Sequence, residues 1–331
     1  MNNKIHTGMT YLALRAATTL ALAALGGGTA HADSNVPAPG TIRDEHVMIV
    51  KSTGLFGTKL STYIFTPPGN GPFPLVIINH GKAPGNPHLQ KETDYFWQSL
   101  ELVKRGYAVI NPTRSGFGSS GGNHNDPGSN LAAAARTWAD DVDVTVSYAK
   151  TLPFIDPNHI VIIGQSEGGL VTVAYGERRT PGVLGLINIV GGLRSSKPGW
   201  ESNDLNAFRS FGAKTGSLPV LFFYGTNDSH WGDGTNSREW FAAYQEGNPA
   251  AQYYDFGNFG SDAHALWKTR SSQPTWIPVF GKFITSLGLS WGLKYQLVCD
   301  DNEANDADDE DALKECRGDI AARATQVTQN Q

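Results

Sequence analysis

Five short apolar runs constrain this chain of 331 residues more than any other feature. They lie at 74–79 (Pro-Leu-Val-Ile-Ile-Asn), 107–111, 159–163, 183–190 and 219–224. Each is too short for an average helix and rich in β-branched or aromatic residues, as a strand buried on both faces must be. Helical spacing fills the gaps. Phe96, Leu100 and Val103 share one face within 91–105, a long helix is expected over about 131–150, and others follow Ser166, cover 240–244 and close the fold at 276–287. Residues 252–256 read as one more strand. Residues 46–52 and 59–67, separated by Gly54 and Gly57, read as an antiparallel opening pair. Strands alternating with helices imply an α/β fold with a mostly parallel sheet and helices on both faces. The 28 residues at 191–218, with Trp200, Phe208 and Phe211, are long for a connection and suggest a short lid insertion.

One of these runs leads into a motif that carries chemistry. Gly164-Gln165-Ser166-Glu167-Gly168 matches G-x-S-x-G, with Ile160–Ile163 before it and the helix-compatible Leu170–Tyr175 after it. Strand, sharp turn, helix is the setting in which such a serine is lifted clear of a sheet as a nucleophile. Two other matches lack that setting. Gly118-Ser119-Ser120-Gly121-Gly122 runs into Asn-His-Asn-Asp-Pro-Gly, so Ser120 is not expected to be a nucleophile. The overlapping G-x-G-x-x-G at 116–121 has no helix opening after it, which a dinucleotide site requires.

A serine needs a base, and the base an orienting acid. In this architecture the chain order is Ser, acid, His. Of the nine histidines, His264 in Gly260-Ser261-Asp262-Ala263-His264 lies between the last strand and the last helix, where a base would be presented to Ser166. His230 follows its strand too closely to leave room for an acid before it. Asp228, just past the end of the strand at 219–224, is the expected acid. Asp262 is the rival, but it lies two residues from His264 and is better placed to bond its own loop. The oxyanion needs two backbone N–H donors. Glu167, the residue after the serine, is one; Lys82 is the expected second, with Gly81 the alternative, and His80 is expected to tie that loop down.

These residues together resemble the α/β-hydrolase superfamily, and more narrowly its dienelactone-hydrolase-like and peptidase-like branches. The resemblance rests on Val76–Gly81, Arg114–Gly121, Gly164–Gly168, Tyr224–Asp228 and His264, within roughly 45–290. It implies a serine hydrolase working through an acyl-enzyme, with no metal or organic cofactor and a small-molecule ester or amide as partner. Ser166 stands where the type dienelactone hydrolases carry Cys, which favours ordinary ester chemistry. A peptidase or amidase with the same three residues, or a non-catalytic binding protein on the same fold, are the alternatives.

The ends of the chain read differently. Lys4, His6 and Arg15, the apolar run Ala16–Leu25 and the small residues ending Ala30-His31-Ala32 match a signal peptide over 1–32, implying export. The catalytic domain is then expected over 33–290 and an acidic extension over 291–331. Without Lys4 and Arg15, 24 basic residues face 31 acidic ones, and eight of the acids fall within 300–311. The rest is near neutral, without the basic footprint of a nucleic-acid binder. Export would let Cys299 and Cys316 pair, closing a loop whose restraint contributes about 3 kcal/mol. Calcium in the acidic loop is disfavoured: a register from Asp300 puts Asn305 where the binding loop needs Gly and Asp311 where it needs Glu.

Overall fold

The computed structural model describes residues 38–39, 42–54, 57–128, 130–195, 198–296 and 316–317. All belong to the compact unit formed by residues 37–331. The expected signal peptide, Cys299, the acidic loop 300–311 and the residues after Arg317 lie outside them.

The strands are β1 (Ala38–Pro39), β2 (Arg43–Val50), β3 (Lys59–Thr66), β4 (Phe73–Asn79), β5 (Ala108–Pro112), β6 (Ile155–Gln165), β7 (Val183–Ile189), β8 (Val220–Tyr224), β9 (Ala251–Asp255) and β10 (Tyr295–Gln296). The helices are α1 (Phe96–Lys104), α2 (Leu131–Ala149), α3 (Glu167–Tyr175), α4 (Trp200–Thr215), α5 (Thr235–Gln245) and α6 (Gln273–Ser286). Eight strands form one sheet in the order β2-β3-β5-β4-β6-β7-β8-β9. β2 and β3 pair antiparallel, β3 pairs antiparallel with β5, and β4 to β9 are parallel. β1 and β10 form a separate two-stranded parallel pair.

Parallel strands need crossovers, and the crossovers cover both faces. Two neighbours on β8 show the alternation. Phe222 packs on Phe208 of α4 and on Phe241 and Tyr244 of α5, while Phe223 packs on Phe280 of α6. Successive strand residues point to opposite faces, so α4 and α5 lie on one side and α6 on the other. The apolar runs are the sheet's core: Leu75–Ile78, Ala108–Ile110 and Ile160–Ile163 are fully buried.

Several boundaries differ from the sequence reading. Helix α1 begins at Phe96 rather than near 91, because Tyr95 sits in a left-handed conformation (φ 44°) and Asp94 accepts from the Phe96 N–H. β6 begins at Ile155, since residues 156–159, Asp-Pro-Asn-His, are also extended. The segment 191–218 is for the most part α4, the crossover between β7 and β8. Its Phe208 and Phe211 are fully buried in the main core, so this helix is a layer of the fold.

A core position in α4 separates the two descriptions. Phe208→Ala should cost about 3–5 kcal/mol in denaturant unfolding; a loosely seated lid helix would leave the unfolding midpoint nearly unchanged.

Candidate active site

Ser166 lies between the end of β6 and the start of α3, at φ 57° and ψ −127°, outside the regions open to most residues. The turn is tight enough to dictate its flanking residues. A Cβ on Gly164 would lie 2.1 Å from the Gly168 carbonyl oxygen, and one on Gly168 would lie 2.2 Å from the Asn79 carbonyl oxygen. Glycine is therefore required on both sides for space. The turn holds Ser166 against β7 through its N–H to the Ile189 carbonyl (3.0 Å). Its side chain is buried except for a small accessible face.

Three of the sequence-derived residues meet here. His264 Nε2 lies 3.0 Å from Ser166 Oγ. His264 Nδ1 lies 3.1 and 3.0 Å from the two carboxylate oxygens of Asp228. Asp228 is fixed in turn, since its Oδ1 accepts from the N–H groups of His230 (2.8 Å) and Trp231 (3.0 Å). Asp262 accepts from the backbone N–H of His264 (2.9 Å) and from both the N–H and hydroxyl of Ser229. It thus anchors the turn that carries His264 and does not contact its ring nitrogens.

The loop after β4 lies directly against the serine. A Cβ on Gly81 would stand 3.0 Å from the Ser166 Cβ. His80 uses both ring nitrogens structurally: Nε2 accepts from the Arg114 N–H (2.9 Å), so Nδ1 is protonated and bonds the Gly81 carbonyl (2.7 Å). Burial, reinforced by the Arg114 charge, holds the His80 pKa well below its usual value, so the ring is neutral. Ser120, in the decoy motif, is likewise structural: it donates to the Thr113 carbonyl and accepts from the Ser61 N–H.

The sequence reading used only the backbone of Glu167. Its side chain is almost fully buried and forms an ion pair with Arg114 (2.6 Å), with His124 Nε2 3.3 Å from its other oxygen. Arg114 also donates to the His80 carbonyl. One guanidinium therefore ties the loop carrying Gly81 and Lys82 to the first residue of α3. Lys82 and Glu167 both line a cavity of about 320 Å³, together with His124, Leu193 and Arg194. As the first residue of a helix, Glu167 has an N–H with no intrahelical acceptor. Nothing local in the sequence marks Arg114 and Glu167 as partners, 53 positions apart.

The ring of His230 is stacked on that of His264, with centroids 3.9 Å apart and planes at 20°. Among the described residues, Asp228, His230 and His264 are the one grouping with metal-like spacing. Both ring nitrogens of His264 are already engaged by Ser166 and Asp228. Cys316 is buried, and its expected partner lies outside the described residues.

The sequence profile of the alpha/beta hydrolase family matches residues 75–325. The chain belongs to that family. An esterase of Pyrococcus furiosus superposes with a TM-score of 0.54 at 16% identity, over 76% of this chain and 98% of that one. A candidate dienelactone hydrolase of Klebsiella pneumoniae gives 0.51 at 17% identity, over 74% and 98%. At such identities these likenesses speak for the fold of this hydrolase. The quorum-quenching protein AidA of Acinetobacter baumannii is 26% identical over 140 residues, which span 42% of this chain and 43% of that protein, under half its length.

The buried ion pair sets a pH dependence. Burial alone would raise the Glu167 pKa, but His124 and Arg114 outweigh it and hold the carboxyl below its usual 4.5. A folded pKa below the unfolded one contributes stability present above about pH 4.5, lost as pH falls through the folded value. Glu167→Gln should thus be less stable than wild type at pH 7 by about 3 kcal/mol, leaving Arg114 buried and unpaired. In denaturant titrations the gap should narrow from pH 5 to pH 3, and a gap that stays constant would contradict the assignment.

Proposed function

We propose that this hydrolase is an exported serine esterase that cleaves carboxylic esters through an acyl-enzyme on Ser166. The observation that carries the reading is the unbroken contact chain Ser166 Oγ–His264 Nε2 and His264 Nδ1–Asp228, at a strained turn beside a cavity. His264 Nε2 takes the hydroxyl proton as Ser166 Oγ attacks the acyl carbon, and Asp228 stabilises the imidazolium through Nδ1–H. The N–H groups of Glu167 and Lys82 receive the negative charge that develops on the carbonyl oxygen. His264 then gives the proton to the departing alkoxide. Water, deprotonated by His264, attacks the acyl-enzyme; the acid leaves and Ser166 regains its proton.

The Arg114 bonds to His80 and Glu167 support the oxyanion part of this reading, because they fix the two donor segments relative to each other. Export through a signal peptide cleaved after Ala32, and pairing of Cys299 with Cys316, complete the proposal. Protein recovered from outside the cytoplasm should begin at Asp33, and its mass should rise by two hydrogen atoms on reduction.

Release of 4-nitrophenol from short acyl esters tests the chemistry. Ser166→Ala and His264→Ala should each lower kcat by at least about 10³-fold, and Asp228→Asn by about 10²–10⁴-fold, with melting temperatures preserved. Faster cleavage of amino-acid 4-nitroanilides than of esters would favour a peptidase. Hydrolysis unchanged in Ser166→Ala would end the proposal.

A further inference from the structure

The mechanism above leaves His230 unused, yet its position is defined on three sides. Its ring lies flat on His264, and Trp231 meets the same His264 ring edge-on, with centroids 5.5 Å apart at 71°. The His230 N–H bonds Asp228 (2.8 Å). Its Nδ1 lies 3.0 Å from Ser229 Oγ, whose own proton goes to Asp262 Oδ2 (2.7 Å). Ser229 Oγ is therefore the acceptor and Nδ1 carries the proton.

We infer that His230 is a positioning residue whose neutral imidazole, stacked on His264, fixes the plane of the base and presents a π face to the charge His264 gains on taking the Ser166 proton. The inference deepens the esterase reading and rests on it. A cation whose centre lies within about 6 Å of an aromatic face is attracted to it, and the 3.9 Å stack lies inside that range. A charged His230 would do the opposite. Burial, then the neighbouring His264 charge, lowers the His230 pKa below 6.5; Asp228 and Asp262 oppose the shift and Arg194 adds to it. These four groups are the charges that face it. The outcome is a ring that stays neutral where His264 must cycle between neutral and charged.

Two variants separate a π face from mere packing. His230→Phe keeps a flat ring without a titrating group, and His230→Ala removes the ring. On a neutral 4-nitrophenyl ester at pH 8, His230→Ala should lose about tenfold in kcat at unchanged KM, while His230→Phe should stay within about threefold of wild type. The acid limb of kcat/KM should move to lower pH in His230→Ala, because the His264 imidazolium has lost its partner. Nuclear magnetic resonance titration of the His264 ring protons should report the same fall without turnover. Should His230→Ala not fold, His230→Leu fills the space without a π face and carries the same expectation. Two results would overturn the inference: His230→Ala within twofold of wild type with an unmoved His264 titration, or His230→Phe no better than His230→Ala. If the wild type hydrolyses no ester at all, the esterase reading fails, and the His264 titration still decides this inference.

Discussion

The turn at Ser166 is the constraint on which the rest of the site depends. Carbonyl oxygens of Gly168 and Asn79 occupy the space that side chains on Gly164 and Gly168 would need. β6, α3 and the loop after β4 therefore meet at contact distance, and only a buried central strand can fix that meeting point. β6 lies between β4 and β7, paired on both edges. A positive φ at a non-glycine residue costs about 1–3 kcal/mol and persists only where the surroundings over-determine it. Here they include the ladder on both sides and the helix that starts one residue later.

The second organising element is electrostatic. Arg114 joins Glu167 to His80 inside the protein, where an unpaired charge would be costly. Its rigidity serves geometry: a donor pair for a developing oxyanion is useful only if it does not reorganise during the reaction. Asp228 follows the same logic, since the backbone N–H groups of His230 and Trp231 fix its carboxylate before it meets His264. The residues that would react are each held by a neighbour that would not.

Much of this was legible in the sequence, for identifiable reasons. Strands β4 to β8 announce themselves because burial on both faces leaves only apolar residues in their middle. Ser166 is legible because strand, glycine-flanked turn and helix are contiguous. Asp228 and His264 follow from chain order at strand ends, and in the structure His264 lies between Ser166 and Asp228. What was hidden is non-local. The Glu167–Arg114 pair and the His230–His264 stack join residues 53 and 34 positions apart with no local pattern. The sequence of α4 hides its place in the core, because its buried Phe208 and Phe211 sit among polar residues and the segment is longer than a usual connection. Tyr95 hid the start of α1, since nothing in Lys-Glu-Thr-Asp-Tyr marks its left-handed backbone.

The central claim is that the strained turn makes Ser166, and no other serine, nucleophilic through His264. Labelling with a fluorophosphonate, followed by intact mass and peptide mapping, tests it most directly. One adduct per chain, on the peptide carrying Ser166 and absent in His264→Ala, is the expected result. An adduct on Ser120 or another serine, or no adduct on folded wild-type protein, would contradict it.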